Sequence, residues 1–546
     1  MITSRRYRMV FCTLAVILWS VLVPVLAQTT AEQAEQAFFT AKGMYQDQLY
    51  DLAADQFRDF LRKYPDNPYA EEAQFLIAEC YFQKQDYSRA VAAYRELLSN
   101  YPAIGLRDKA QFRIGESLVN AGQYEEAQRA LQFFFEQYPS SPLYSNALYW
   151  YAEAAYREED RQTAVEYYER VYEHDPDGPL ANYAFYSVAY IHEEAGRWSE
   201  AMNAYEELMR RHPESELAEQ AAYRIGFTYY GMGEYANAIQ KLAAALKAHP
   251  NHPLRGEAQF FIGESFYRQG SYDKAIQAYK AIITLSGNEF RDDAQYSIGW
   301  AFFEQKQYEQ AADAFSRVPN LSQDEELMAS AYFQAGRNYV LADNDTQASQ
   351  AFSQVINNYS DTKELPNALF EQGSIEFRNN QFSQARARFL RIAQDHRDAA
   401  VAPEASLMIG ECFLAETHFE DAEQAYEMTA DVYENSPVRA TALYKLGWID
   451  FKNNQFDDAI NTFDRVLRDY PDHSVAANAL FWKGEAQYKS EDFASAYRSY
   501  QTFIDAYPQS ERLADAYYGL GYSAQELGKF TEASQAFAAA SERAGD

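Results

Sequence analysis

The sequence predicts an all-α fold, a solenoid of about 14 helix-turn-helix units. Three columns of residues predict it. A small residue recurs at Ala41, Ala78, Gly115, Ala152, Ala189, Gly226, Gly263, Gly299, Gly336, Gly373, Gly410, Gly447, Gly484 and Gly521, every 37 residues, with one step of 36 between Gly263 and Gly299. An alanine lies 12 residues after each marker, from Ala53 and Ala90 to Ala496 and Ala533. Four residues further on stands a large apolar or aromatic residue, from Phe57, Tyr94, Leu131 and Tyr168 to Phe537. Self-similarity at such a period signals a stacked array. A chain of 546 residues is also longer than one globular core usually organises.

Each element of the unit follows from its residues. The first helix carries the small marker within i, i+3, i+4 apolar spacing. Small markers and alanines let two helices approach, and large residues such as Phe75 and Tyr94 fill the space between units. The turn often carries Gly or Asn, at Gly122, Gly196, Gly233, Gly270, Asn380, Asn454 and Gly528, which suits a helix C-terminus. The second helix opens on an aromatic in most units (Tyr50, Tyr87, Tyr124, Trp198, Phe456, Phe530). Proline closes it at Pro65, Pro102, Pro139, Pro176, Pro213, Pro250, Pro471 and Pro508. Asn67-Pro68, Ser141-Pro142 and Ser436-Pro437 then read as an N-cap and first-turn proline of the next helix.

Gly115, Ala127, Leu131 and Pro139 fall on one pattern: a small residue in the first helix, Ala in the second, then a closing Pro. This resembles the tetratricopeptide repeat (TPR), over about residues 31 to 546. The resemblance implies a right-handed superhelical solenoid of TPR-like units with a ligand-binding concave face. The chain departs from the family in a period of 37 instead of about 34. It also carries large residues (Phe60, Phe134, Ile282, Phe503) where the family commonly has small ones. The stretch from Tyr138 to Glu153 is similar to repeats of the periplasmic Tol-Pal-associated cell-division coordinator and of outer-membrane assembly lipoproteins. That similarity implies a role in envelope assembly or division.

Around residues 286 to 345 the pattern breaks. Ser286-Gly287 replaces the closing Pro, Pro319 comes four positions early, and Asp345 stands where the aromatic belongs. The stretch reads either as decayed repeats that still stack or as a bend. The expected organisation is residues 28–286 as an N-terminal arm, 287–345 as irregular repeats and 346–546 as a C-terminal arm.

Residues 1–27 read as a signal peptide. Arg5, Arg6 and Arg8 precede the uncharged apolar run from Met9 to Ala27, which ends in Val25-Leu26-Ala27. Cleavage there would leave 45 basic against 80 acidic residues. The rival reading is an uncleaved inner-membrane anchor, since the run is near the roughly 20 residues a span needs. With cleavage the chain is expected to be periplasmic or secreted, including association with the outer membrane; without it, the chain is expected to be anchored in the inner membrane.

The whole chain carries 48 Lys and Arg against 80 Asp and Glu, a net charge of −32. Such a surface disfavours nucleic acid and anionic lipid and suits basic partners. Cys80 and Cys412 share one repeat position nine units apart, whereas a disulfide needs Cα atoms within about 7 Å. Both therefore read as reduced packing residues. The sequence contains no nucleophile elbow, P-loop, His-Glu-x-x-His or Cys-x-x-Cys motif. Asp175–Pro179 and Asp343–Gln347 lack the spaced ligands of a calcium loop. His212 and His249 read as helix-end residues. No catalytic, cofactor-binding or metal-binding residue is expected, and no enzyme activity.

Partner binding should reside where the units differ. Three residues before the marker the units agree, with an aromatic in 13 and Leu407 in the other, which argues for packing. Directly after the marker they vary: Glu79, Glu116, Glu153, Tyr190, Phe227, Glu264, Trp300, Arg337, Glu411, Trp448, Glu485 and Tyr522. This acidic and aromatic series is the candidate strip for basic or extended peptide. The cluster Arg386, Arg388, Arg391 and Arg397 is either a partner patch or paired with neighbouring acids. The expected function is an exported scaffold for protein or peptide partners. A self-associating structural component and a regulatory subunit of a separate enzyme are the alternatives.

Overall fold

A computed structural model describes residues 31–102, 105–285 and 287–544. The expected signal peptide, Cys12 and Ser286 lie outside them. Among the described residues there are 28 α-helices and no β-strand. They form the fourteen expected pairs, beginning with 31–46 and Tyr50–Lys63 and ending with Leu513–Glu526 and Phe530–Ala544. The chain divides into two compact units between Gln269 and Gly270. The first ends on the helix Arg255–Arg268, and the second begins with Tyr272–Ile283.

Within each unit the core is a series of local clusters. Each cluster joins neighbouring pairs, as expected when a repeat buries its faces only on the next. The alanine column is buried throughout, from Ala53 to Ala533. The marker's role is more specific than helix approach. A Cβ added to Gly115 would lie 2.4 Å from Leu131, and one added to Gly410 would lie 2.5 Å from Tyr426. The small residue makes room for the large residue 16 positions on, so the two columns form a knob and its hole.

The turn between the helices has one geometry everywhere. Seven residues after the marker the backbone has positive φ in all fourteen repeats, at glycines such as Gly122 and at residues such as Gln85 and Thr417. In the repeat marked by Gly410, Thr417 N–H donates to the Leu414 carbonyl and His418 N–H to the Phe413 carbonyl. This is the Schellman arrangement that closes a helix. At the other end of the pair, Tyr64, Tyr138 and His212 cap the second helix just before its proline. Asn67 Oδ1 accepts from Tyr69 N at 2.9 Å, and Ser141 Oγ from Leu143 N at 3.2 Å. These bonds close a turn and do not cap a helix, contrary to the expectation: regular helix begins later, at Ala70 and Tyr144, after N-caps Tyr69 and Leu143 that make no side-chain cap bond.

The irregular stretch shows what an early proline does. The second helix Tyr308–Phe315 has only eight residues, and a 3₁₀ turn, Val318–Asn320, holds Pro319. Asp324 then caps the 17-residue helix Glu325–Leu341 by accepting from the backbone of Glu326 and Leu327. Cys80 and Cys412 are buried and unbridged. Burial raises both thiols to about 12. Among the described residues no helix is long and apolar enough to cross a membrane.

Candidate functional site

Within each unit, first helices of successive pairs touch one another, as Arg107–Asn120 touches Tyr144–Arg157 and Ala476–Lys489 touches Leu513–Glu526. They make one face, and the residue after each marker lies on its helices. The structure places these residues in unlike surroundings. Glu79 is buried, at 4% exposure. Its carboxylate accepts a hydrogen bond from Tyr94 Oη at 2.5 Å and faces Arg113 Nε at 3.0 Å. Glu116 pairs with the same arginine at 2.6 Å. Glu411 accepts from Tyr426 Oη at 2.6 Å and pairs with Lys445 at 2.9 Å. Glu153 accepts from Tyr168 at 2.5 Å, and Glu485 from Tyr500 at 2.6 Å.

These tyrosines are the large residues of the repeat, 15 positions after the acid. Burying such a ring stabilises by about 2–3 kcal/mol, and a hydrogen bond to a charged acceptor adds about 1.5–3 kcal/mol. Burial, and then the Glu79 carboxylate, push the Tyr94 phenol far above its ordinary range, so it remains a donor. Tyr205 follows the rule one turn away: Tyr190 occupies the usual place, and Glu193 accepts the hydrogen bond at 2.7 Å. Arg224 of the next first helix faces Glu193 at 3.4 Å.

Where the large residue is Leu or Phe, the residue after the marker is seldom acidic. Trp300 packs edge-on to Phe315 at 5.5 Å, and Trp448 meets Lys452 at 5.1 Å. Phe227 is buried against Phe261. Arg337 is exposed. Tyr522 is exposed, 5.0 Å from Phe537. Glu264 is half-buried. The twelve residues thus differ in exposure, some buried and paired within the chain and others open to solvent. Part of their variation has an internal cause, the Tyr or Phe fifteen residues later. That coupling is legible in sequence, but only across the helix turn, where helical periodicity does not look.

One pocket does gather members of the series. About 480 Å³ in volume, it lies between the last two first helices and is lined by Glu485 and Tyr522 together with Phe481, Trp482, Tyr488 and Tyr518. The arginine cluster, by contrast, is largely used within the chain. Arg386 pairs with Glu416 and lies over the Phe413 ring at 4.2 Å. Arg388 faces the buried Glu376 at 3.4 Å. Among the described residues no group of His, Cys, Asp and Glu is arranged to hold a metal ion.

Residues 112–179, 156–216, 223–290, 370–440, 444–511 and 486–546 match a family model described as tetratricopeptide repeat, well over half of the chain together. A second model so described matches 293–321 and 330–362, and a tetratricopeptide repeat-like domain matches 9–140. No curated protein matches. Among solved structures, a tetratricopeptide repeat protein from Parabacteroides merdae is 17% identical, covering 47% of this chain and 96% of its own, with a TM-score of 0.34. The MamA protein is 20% identical over 33% of this chain and 93% of its own, with a TM-score of 0.29. The APC/C hetero-tetramer Cut9-Hcn1 supplies a chain 12% identical over 91% of this one and 98% of its own, with a TM-score of 0.30.

Proposed function

The chain belongs to the tetratricopeptide repeat family, whose repeats imply an interaction scaffold, and we propose that it is an exported, non-enzymatic one for protein or peptide partners in envelope assembly or cell division. The supporting observation is the face of first helices, where aromatic and acidic side chains not fully used by packing stand together, as at Tyr518, Tyr522 and Glu485. Exposed aromatic groups beside charge are the usual material of binding hot spots. The net charge of −32 favours a basic partner and steers its approach. Export is supported by the arginines and apolar run of residues 1–27. The envelope role is supported by the similarity of Tyr138–Glu153 to periplasmic repeats.

Crosslinking in cells followed by purification of the full chain is expected to recover stable protein partners from the envelope fraction. Recovery of none rejects the scaffold reading.

A further inference from the structure

We propose that the pocket between the helices Ala476–Lys489 and Leu513–Glu526 takes a lysine or arginine side chain of a partner polypeptide. The inference rests on the scaffold reading and names one contact within it. The molecule supplies its own templates for that contact. Glu79 and Glu411 each accept a hydrogen bond from a tyrosine, and each also meets a cation from the next first helix. Arg113 approaches Glu79 at 3.0 Å, and Lys445 approaches Glu411 at 2.9 Å. Both cations stand 34 residues after their acid.

Glu485 has the tyrosine but not the cation. Tyr500 Oη donates to it at 2.6 Å. The residue 34 positions on is Gly519. No side chain fits there, because a Cβ would lie 2.3 Å from Tyr500 Cζ. Among the described residues no basic group within ion-pair distance faces Glu485. With no cation supplied from the next first helix, Glu485 instead lines an open pocket of about 480 Å³.

The walls suit a cation on an apolar stem. Tyr518 and Tyr522 are each 46% exposed, and their rings stack with centroids 6.1 Å apart. Tyr488 stands 6.5 Å from Tyr522. Aromatic faces attract ammonium and guanidinium groups, and their rims pack against methylenes. Asp515 adds a second acid to the lining. Of the two bases there, Arg512 already lies over Phe481 at 5.0 Å and Trp482 at 5.3 Å and donates to Asn478 at 3.1 Å. Lys489 is exposed at the end of its helix. A visiting lysine or arginine would therefore complete at Glu485 the ion pair that the chain completes for itself at Glu79 and Glu411.

The test uses the full chain and a labelled, end-blocked pentapeptide with one central lysine, read by fluorescence anisotropy. Arginine and norleucine counterparts are run beside it. The lysine and arginine peptides are expected to bind and the norleucine peptide not to. Glu485→Gln keeps an acceptor for Tyr500 and is expected to weaken binding about tenfold or more. Tyr522→Ala weakens it without changing charge. Glu411→Gln, at a carboxylate already occupied by Lys445, leaves it unchanged. The pocket is rejected if wild type binds no basic peptide, if norleucine binds as well as lysine, if Glu485→Gln binds like wild type, or if Glu411→Gln loses as much. Any of these beside recovered cellular partners leaves the scaffold reading standing. Failure to recover partners counts against that reading alone.

Discussion

At the scale of single residues, burial of acids is what the structure adds. Asp450 sits three residues after its marker, where most repeats have an apolar residue such as Leu118 or Phe413. It is only 9% exposed, with Thr462 Oγ1 donating to it at 3.3 Å. Burial, and then the nearby Glu423, raise its carboxyl to about 6. The folded protein therefore holds this proton to a higher pH than the unfolded chain does. Stability falls as pH rises from about 4 to about 6, and above that window the charged form is a standing cost. Asp450→Asn is expected to raise stability at pH 7.5 by about 3 kcal/mol, from about 1.4 kcal/mol per pKa unit, and to gain almost nothing near pH 4. Thermal midpoints of both proteins at the two values check this; an equal shift at both would mean that charge is not the cause. Residues of this kind mark the edge of what the sequence discloses. The marker, alanine and large-residue columns are visible because size alone constrains them in every repeat. Glu79 reads in sequence as a variable surface position, because its partners Tyr94 and Arg113 lie 15 and 34 residues away and no local periodicity joins them.

At the scale of elements, the turn is the strictest part of the repeat and is only partly announced by its residues. Gly122, Asn380 and Asn454 signal a left-handed C-cap, and all have positive φ. Gln48, Gln85, Glu159, Lys306, Thr417 and Glu491 adopt the same conformation without that signal. Packing of the helices on either side overrides their preference. A β-branched residue in this region is strained most. Thr417 is exposed, so replacing it removes no buried contact. Thr417→Gly is expected to stabilise by about 1 kcal/mol, the relief of left-handed strain less the added freedom of the unfolded glycine. The reverse change, Gly122→Thr, should destabilise by a similar amount. Urea midpoints of the two variants decide, and a loss of stability in Thr417→Gly would show that its Oγ1 bond to the Glu416 carbonyl outweighs the strain. The irregular second helix is legible as a break because Pro319 is out of place. Its replacement by a 3₁₀ turn and a helix capped at Asp324 depends on tertiary packing that periodicity does not contain.

At the scale of the whole molecule, charge and repeat architecture pull against each other. An array stabilised by nearest-neighbour contacts has no single deep core to offset a distributed repulsion. With 80 acidic against 48 basic residues, the chain carries a net charge of −32. Ion pairs across repeats, such as Arg95 with Glu126 at 2.6 Å and Arg378 with Asp345 at 3.0 Å, are largely exposed. Pairs of that kind contribute at most about 1 kcal/mol each. Salt screens both the repulsion and these pairs, but the excess of acids makes the repulsion outweigh them. Raising sodium chloride from about 20 mM to 500 mM, where the Debye length falls well below 10 Å, is therefore expected to raise the thermal midpoint by a few degrees. A midpoint that falls instead would place the dominant electrostatics in less exposed pairs such as Glu79 with Arg113 and Glu411 with Lys445. The same salt should weaken a lysine peptide's hold on the pocket at Glu485. Stability and basic-ligand affinity are thus expected to move in opposite directions along one salt series, a signature that general softening of the fold would not produce.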